Sequence, residues 1–277
     1  MILSAEQLAL LKKAQLEMLK HFLTICQVLD LKYYLIEGTL LGAVRHNGFI
    51  PWDDDIDVAM PRKDYEIFLQ KAPALLPPHL FLQNLHSDPY FPANFSKIRN
   101  NNTTYIETSV KDFPIHHGVF VDVFPLDIYP DNRFSKLLFK YKNKFLSRII
   151  SSYFFYSNPN RPLHTKWVDK LVRILHLSPR KAVQKREHLY RSFSNGSMLG
   201  SFCGAWGEKE ITPASWFGDG ADLEFEGLKV KGPVCYHEWL TQVYGDYMQL
   251  PPVEKRIGHH YAEAVDLTQP YTAYIKK

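Results

Sequence analysis

The sequence predicts an α/β chain of the α+β kind, with a mixed β-sheet core, flanking helices and a helical, basic insertion. Three observations predict it. Over residues 1–132, short apolar runs of strand length alternate with segments of helical spacing. From about Phe134 to residue 194 the spacing is helical throughout, and the last eighty residues return to a mixture. The chain therefore divides into a mixed α/β stretch (1–132), a basic helical insertion (133–200) and a mixed C-terminal part that completes the core (201–277).

The elements follow in order. Leu8, Leu11, Leu16, Leu19, Phe22, Leu23 and Cys26 recur at helical spacing over 4–29, and Ser4 with Gln7 resembles a capping box. Tyr33-Tyr34-Leu35-Ile36 reads as a buried strand, Gly38-Thr39 as a turn, and Leu40 to Arg45 as the start of a helix. Ile56 to Met60 is a second strand, ended by Pro61, before a helix from Lys63 to Lys71 and a loop marked by Pro73, Pro77 and Pro78. Phe95–Ile98, Thr104–Ile106 and Val119–Phe124 are further strands. Helices are expected over 134–156, 163–177 and 179–194, a strand pair over 223–231, a helix over 236–244, and an extension after Pro270.

Composition bounds the function. The chain has 277 residues, 45% hydrophobic and 22% charged, which excludes disorder and a disulfide scaffold. No apolar run reaches the ~20 residues of a spanning helix, and the N-terminus does not read as a secretory signal. Cys26, Cys203 and Cys235 are widely spaced and read as reduced thiols of a cytoplasmic protein. The net charge of +4 conceals an asymmetry: Arg133 to Arg191 holds fifteen Lys/Arg against only Asp169 and Glu187, while the rest of the chain is acidic. Such a block is either a solvated helical face or a surface for an anionic partner.

Trp52-Asp53-Asp54-Asp55-Ile56-Asp57 packs four carboxylates into five positions. Two unit charges ~5 Å apart repel by ~3 kcal/mol at an effective dielectric of about 20, so a partly buried cluster needs cations or protons. On a strand, Asp55 and Asp57 point to one face, and carboxylate oxygens suit Mg²⁺ or Mn²⁺. An EF-hand fails, because Val58 and Asp64 stand where Gly and Glu are needed. His116-His117 and His259-His260 lack metal-ligand spacing with the cysteines, so no zinc site is expected. Upstream, Gly38 and Thr39 at a strand-to-helix turn offer a backbone cradle for phosphate. Downstream, Asp122 interrupts the apolar run Val119-Phe120-Val121-Asp122-Val123-Phe124, a costly placement unless it is paired or metal-bound. Asp127, beyond Pro125, reads as structural. A phosphate cradle beside paired carboxylates is the layout of metal-assisted phosphoryl or nucleotidyl transfer.

Ile36-Glu37-Gly38-Thr39-Leu40-Leu41-Gly42-Ala43-Val44-Arg45-His46, followed by Gly48-Phe49-Ile50-Pro51-Trp52-Asp53-Asp54-Asp55-Ile56-Asp57, closely resembles the signature of the LicD phosphotransferase family. The likeness continues through Pro61 to Tyr65, Lys97-Ile98-Arg99 and Gly118 to Asp127. It returns at Phe225-Glu226-Gly227, Tyr244 to Tyr247, Leu250-Pro251-Pro252 and Lys255-Arg256, with His259-His260 after them. The stretch Phe134 to Phe202 matches no motif. The resemblance implies a nucleotidyltransferase-like core related to the fukutin-like proteins. It also implies transfer of phosphocholine from CDP-choline to a sugar of teichoic acid or another surface glycan, such as lipopolysaccharide or capsule, with CDP-glycerol or CDP-ribitol as alternative donors. By motif position it implies that Asp55 and Asp57 ligate metal, with Asp122 the third carboxylate and Asp53 beside them. Gly38 and Thr39 would then meet phosphate, and Arg45, Lys97 and Arg99 the donor diphosphate. Arg256 and His260 fall in a block that would belong to the substrate side.

The expected partners are a CDP-alcohol and an anionic or lipid-linked glycan, with no nucleic acid. The aromatic and basic residues of 134–156 fit a peripheral contact at the inner face of a membrane. The rival readings are a template-free nucleotidyltransferase acting on RNA or a small molecule, an Asp-x-Asp glycosyltransferase, for which Asp55 comes too early, and a non-catalytic metal-binding module.

Overall fold

The computed structural model describes residues 3–154, 163–258 and 261–274. Helix α1 (Ala5–Leu29) opens with the expected capping box, the Ser4 hydroxyl accepting from the Gln7 amide and the Gln7 side chain accepting from the Ser4 amide. Its apolar face buries Leu11, Met18, Leu19 and Phe22. Strand β1 (Tyr34–Leu35) is short, and α2 (Glu37–His46) starts earlier than expected. Gly38 and Thr39 therefore lie in the first turn of a helix. Strand β2 (Asp57–Pro61) runs into α3 (Arg62–Leu75), which continues through Pro73; this residue, expected in a loop, sits in the last turn.

Strands β3 (Leu80–Gln83), β4 (Ser96–Asn100), β5 (Thr104–Glu107) and β6 (Phe120–Tyr129) follow. β6 runs past Pro125, although a proline in a central strand is normally excluded. The pairing explains the exception. β4 pairs β6 only up to Val123, and β7 (Met198–Gly200) takes over at Asp127, so the missing amide falls in the gap between them. The sheet order is β1-β2-β6-β4-β3, with β2 and β6 parallel and the other pairs antiparallel. β7 and β8 (Thr212–Pro213) extend it from the far end of β6. This is the mixed α+β sheet read from the sequence.

Helices α4 (Arg133–Phe154), α5 (Leu163–Ile174) and α6 (Pro179–Tyr190) have an apolar cluster of their own around Phe139, Ile149, Ile150, Val183 and Tyr190. The expected ends of α4 at 155–156 lie outside the described residues. The predicted strand pair is a hairpin of β9 (Ala221–Phe225) and β10 (Leu228–Gly232), and its turn places Glu226 and Gly227 at φ 50° and 75°, which explains the glycine. Helix α7 (Tyr236–Tyr244) ends at Gly245. Strand β11 (Ala262–Asp266), where the sequence suggested none, pairs with β5.

Candidate active site

Sheet order alone assembles the floor of the site. Asp57 stands opposite Asp122 in the parallel β2–β6 pair, and Asp122 stands opposite Lys97 in the antiparallel β6–β4 pair. Three charged residues remote in sequence thus form a row across three adjacent strands. The Lys97 ammonium lies 2.9 and 3.0 Å from the two oxygens of Asp122 and 3.7 Å from Glu107. It also sits 3.5 Å from the centre of the Phe120 ring. Lys97 does enter the cavity, but as the counter-charge of Asp122.

Arg99 is placed differently from expectation. It is fully buried and does not line the cavity. Its guanidinium donates to Gln83 Oε1, to the Gly118 carbonyl and to Glu107. It braces Glu107 from behind and cannot reach a donor diphosphate without abandoning those bonds. Thr39 is also turned inward: its hydroxyl accepts the Asp57 amide at 2.8 Å and pins the start of β2. Gly38 does line the cavity, yet its missing side chain serves a carboxylate, since a Cβ there would stand 2.5 Å from Asp53 Oδ2. The two residues read as a phosphate cradle are, in this structure, supports for Asp53 and Asp57.

The four aspartates divide by side. Asp53, Asp55 and Asp57 line the cavity with Asp122. Asp54 does not, and its Oδ2 accepts from the Tyr105 hydroxyl while its backbone carbonyl accepts from Gln15. One oxygen from each of Asp53, Asp54 and Asp55 nevertheless lies within 4.8 Å of the others. Burial pushes the Asp57 carboxyl well above its ordinary pKa, and Asp55, Glu37, Asp122 and Asp53 push it the same way. Burial likewise raises Glu37, reinforced by Glu210 and Asp55, and raises Glu210 to about 7. A donor set made only of carboxylates, too close together for all to ionise unaided, fits a hard divalent cation.

The cavity also has cationic and aromatic lining. Arg45 donates to the Tyr247 carbonyl at 2.7 Å, and Arg256 donates to the Pro251 carbonyl at 2.9 Å. Burial lowers the Arg45 pKa, and Arg256 opposes its charge, so the two act on one region. The Arg256 guanidinium lies over the Trp52 ring at 5.6 Å, and Trp206 meets Tyr244 edge-on at 4.9 Å. These residues and the acidic row enclose one cavity of about 1350 Å³. His260, expected beside Arg256, lies outside the described residues.

Sequence reasoning passed over Glu37, Glu107 and Glu210. Glu37 is buried, and its Oε1 has no hydrogen-bond partner among the described residues. It also adopts φ 48°, a strained value for a residue with a Cβ. The signal that singled out Asp122, an acid set in an apolar run, would have found Glu37 after Tyr34-Leu35-Ile36. Glu107 and Glu210 carry no comparable signal.

A mixed sheet thus presents a buried carboxylate row to a cavity that arginines and aromatic rings also line. Residues 30–170 match the family described as LicD/FKTN/FKRP, nucleotidyltransferase domain. The chain is 30% identical over 257 residues to the lipopolysaccharide cholinephosphotransferase LicD of Haemophilus influenzae, covering 90% of this chain and 94% of that one. A 42-residue stretch is 55% identical to an uncharacterised protein of Rickettsia prowazekii, 15% of each chain. A 44-residue stretch is 50% identical to one of Rickettsia typhi, 16% of this chain and 14% of that one. The chain belongs to the LicD family, as its motifs suggested.

Proposed function

We propose that this protein transfers phosphocholine from CDP-choline to a sugar hydroxyl of a cell-surface glycan precursor, releasing CMP. The observation that supports this most is the Asp57–Asp122–Lys97 row in a cavity that Arg45, Arg256 and Trp52 also line. The name of the Haemophilus relative, a cholinephosphotransferase, points to the same group.

Asp55 and Asp57, with Asp53 and Asp122, would hold Mg²⁺ or Mn²⁺, and the bound ion would neutralise charge on the donor diphosphate. Arg45 and Arg256 bind that diphosphate. Trp206 and Tyr244 would meet the quaternary ammonium, whose charge favours aromatic faces. The acceptor oxygen forms the new bond to phosphorus, and the bond from phosphorus to the CMP oxygen breaks. The hydroxyl proton passes to a cavity carboxylate, Asp122 being the one that Lys97 holds in place.

The test is CMP release from CDP-choline, CDP-glycerol and CDP-ribitol in turn, with and without glycan-lipid acceptor. Release from CDP-choline alone, dependent on acceptor and lost with EDTA, is expected. Release from CDP-ribitol or CDP-glycerol instead would reassign the head group, and silence from all three would remove the reading.

A further inference from the structure

The insertion exposes the residues that sequence periodicity would bury. Helix α4 packs through Phe139, Leu146, Ile149 and Ile150. Phe134, Leu137, Leu138, Tyr141 and Phe145, spaced i, i+3, i+4, i+7 and i+11, form a second apolar stripe that is between 43% and 73% exposed. Helix α5 repeats the pattern: Trp167 is 75% exposed, and Val168, Leu171 and Ile174 are exposed with it, while Val172 is buried. These two helices hold nine of the twenty-two large exposed hydrophobic residues among the described ones. A stripe of this size on a folded protein marks an interaction surface.

Charge decides which surface. Helix α4 carries six Lys/Arg and no carboxylate, and α5 carries Lys166, Lys170 and Arg173 with Asp169, which is buried against Arg148. Lys140 is paired with Glu208, while Lys142 and Lys144 flank the α4 stripe and are exposed. A second copy of the chain apposed on this face would bring two basic rims together. An anionic lipid surface meets both features, taking the aromatic and aliphatic side chains into its headgroup region and the lysines onto its phosphates. No helix among the described residues is long and apolar enough to cross a membrane, so the contact lies along the surface.

We propose that the α4–α5 face docks peripherally on an anionic lipid bilayer. Tyr141, Lys144 and Phe145 line a second cavity of about 810 Å³, and its other wall, Pro92, Ala93, Phe95 and Cys203, also lines the acidic cavity. Docking on this face therefore places the site beside the lipid surface.

The test is co-sedimentation of the full chain with vesicles of phosphatidylcholine alone and with added phosphatidylglycerol. Binding to the anionic vesicles, weakening with salt, is expected. Lys142→Glu/Lys144→Glu should lower partitioning at least about tenfold. Tyr141→Ser/Phe145→Ser should also lower it without moving Tm, because neither side chain belongs to the buried cluster. Trp167→Phe should remove a lipid-induced blue shift of tryptophan emission. Absence of binding at low salt, equal binding to neutral vesicles, or indifference to the Tyr141/Phe145 pair would overturn the proposal. So would a dimer in solution that Phe145→Ser dissolves.

Discussion

Strands β2 and β6 carry a charged cluster at each end, and the two are built on opposite principles. Where β2 meets α3, Arg62 holds Asp127 through two bonds of 2.6 and 2.7 Å, Glu187 at 2.7 Å and Glu66 at 3.2 Å. Its partners outweigh burial and push the guanidinium pKa up. At the other end, Asp57, Asp55, Asp53, Asp122, Glu37 and Glu107 share the cavity with Lys97. In the first cluster every carboxylate is bonded to an arginine, Asp127 and Glu187 to Arg62 and Glu66 to Arg62 and Arg191, which ties α3, β6 and α6 together. The second leaves a surplus of negative charge facing a cavity. Such a surplus is relieved by a bound cation or by protons, so the difference separates a structural ion-pair cluster from the candidate site.

The sharpest way to break the comparison is to neutralise one carboxylate in each cluster. Asp57→Asn should lower transfer by ~10³-fold or more, because it removes a group that acts on charge developing in the reaction. Its thermal stability should hold or rise, since the substitution relieves repulsion from Asp55, Glu37, Asp122 and Asp53. Calorimetry beside the CMP assay reads both. Turnover near wild type by folded Asp57→Asn protein would dismiss the site.

Arg62→Met should do the reverse, costing ~3–5 kcal/mol of stability by stranding Asp127 and Glu187. At a permissive temperature the catalytic constants should stay close to wild type. Denaturant unfolding measures the loss, and a cost below ~1 kcal/mol would show that the cluster is no stronger than a surface pair.

Much of this contrast was legible in the sequence, for physical reasons that differ by residue. Asp122 was singled out because an acid in an apolar run is expensive, and Asp55 and Asp57 by strand alternation, although both line the cavity with only Asp57 inside β2. Asp127 was rightly read as structural, although it lies in a strand and not in a loop. Lys97 and Arg99 looked alike, two cations at alternate positions of one strand. Only the pairing across β4, β6 and the Glu107 end of β5 turns one into the partner of Asp122 and the other into a buried brace. Strand β11 was missed because Ala262-Glu263-Ala264-Val265 has weak alternation, and its place is set by pairing with β5. The roles of Gly38 and Thr39 depended on where α2 begins, and helix starts are poorly marked when no side chain caps them.

The surplus should also be visible as a pH dependence. Glu210 has its pKa raised from 4.5 to about 7, so the native state holds a proton that the unfolded chain releases at lower pH. Its contribution is present in full below pH 4.5 and is lost as pH rises to 7. By linkage the loss approaches about 3 kcal/mol. Glu210→Gln should flatten the stability profile across that window while keeping an acceptor for the Trp206 amide. An unchanged slope would mean that Glu210 is not the group whose proton holds the wall behind Glu37 together.

The smallest expected effect tests the cationic side of the cavity. Arg45 and Arg256 both face it, but Arg45 belongs to α2 and also anchors the Tyr247 carbonyl, so its removal mixes binding with structure. Arg256 lies beyond the short helical turn Val253–Lys255, bonded to the Pro251 carbonyl and 5.6 Å from the centre of the Trp52 ring, with no ion pair to a carboxylate among the described residues. Its charge is therefore available to a ligand at little structural cost. Arg256→Ala should raise the donor KM about tenfold, ~1.4 kcal/mol, with kcat little changed. Arg256→Lys should recover only part of this, because a point charge replaces a planar fork that can grip two phosphate oxygens. A fall in kcat with KM unchanged would instead place Arg256 on charge that appears only during transfer. The cation would then belong to the reacting end of the cavity, facing the Asp57–Asp122 row across the scissile bond.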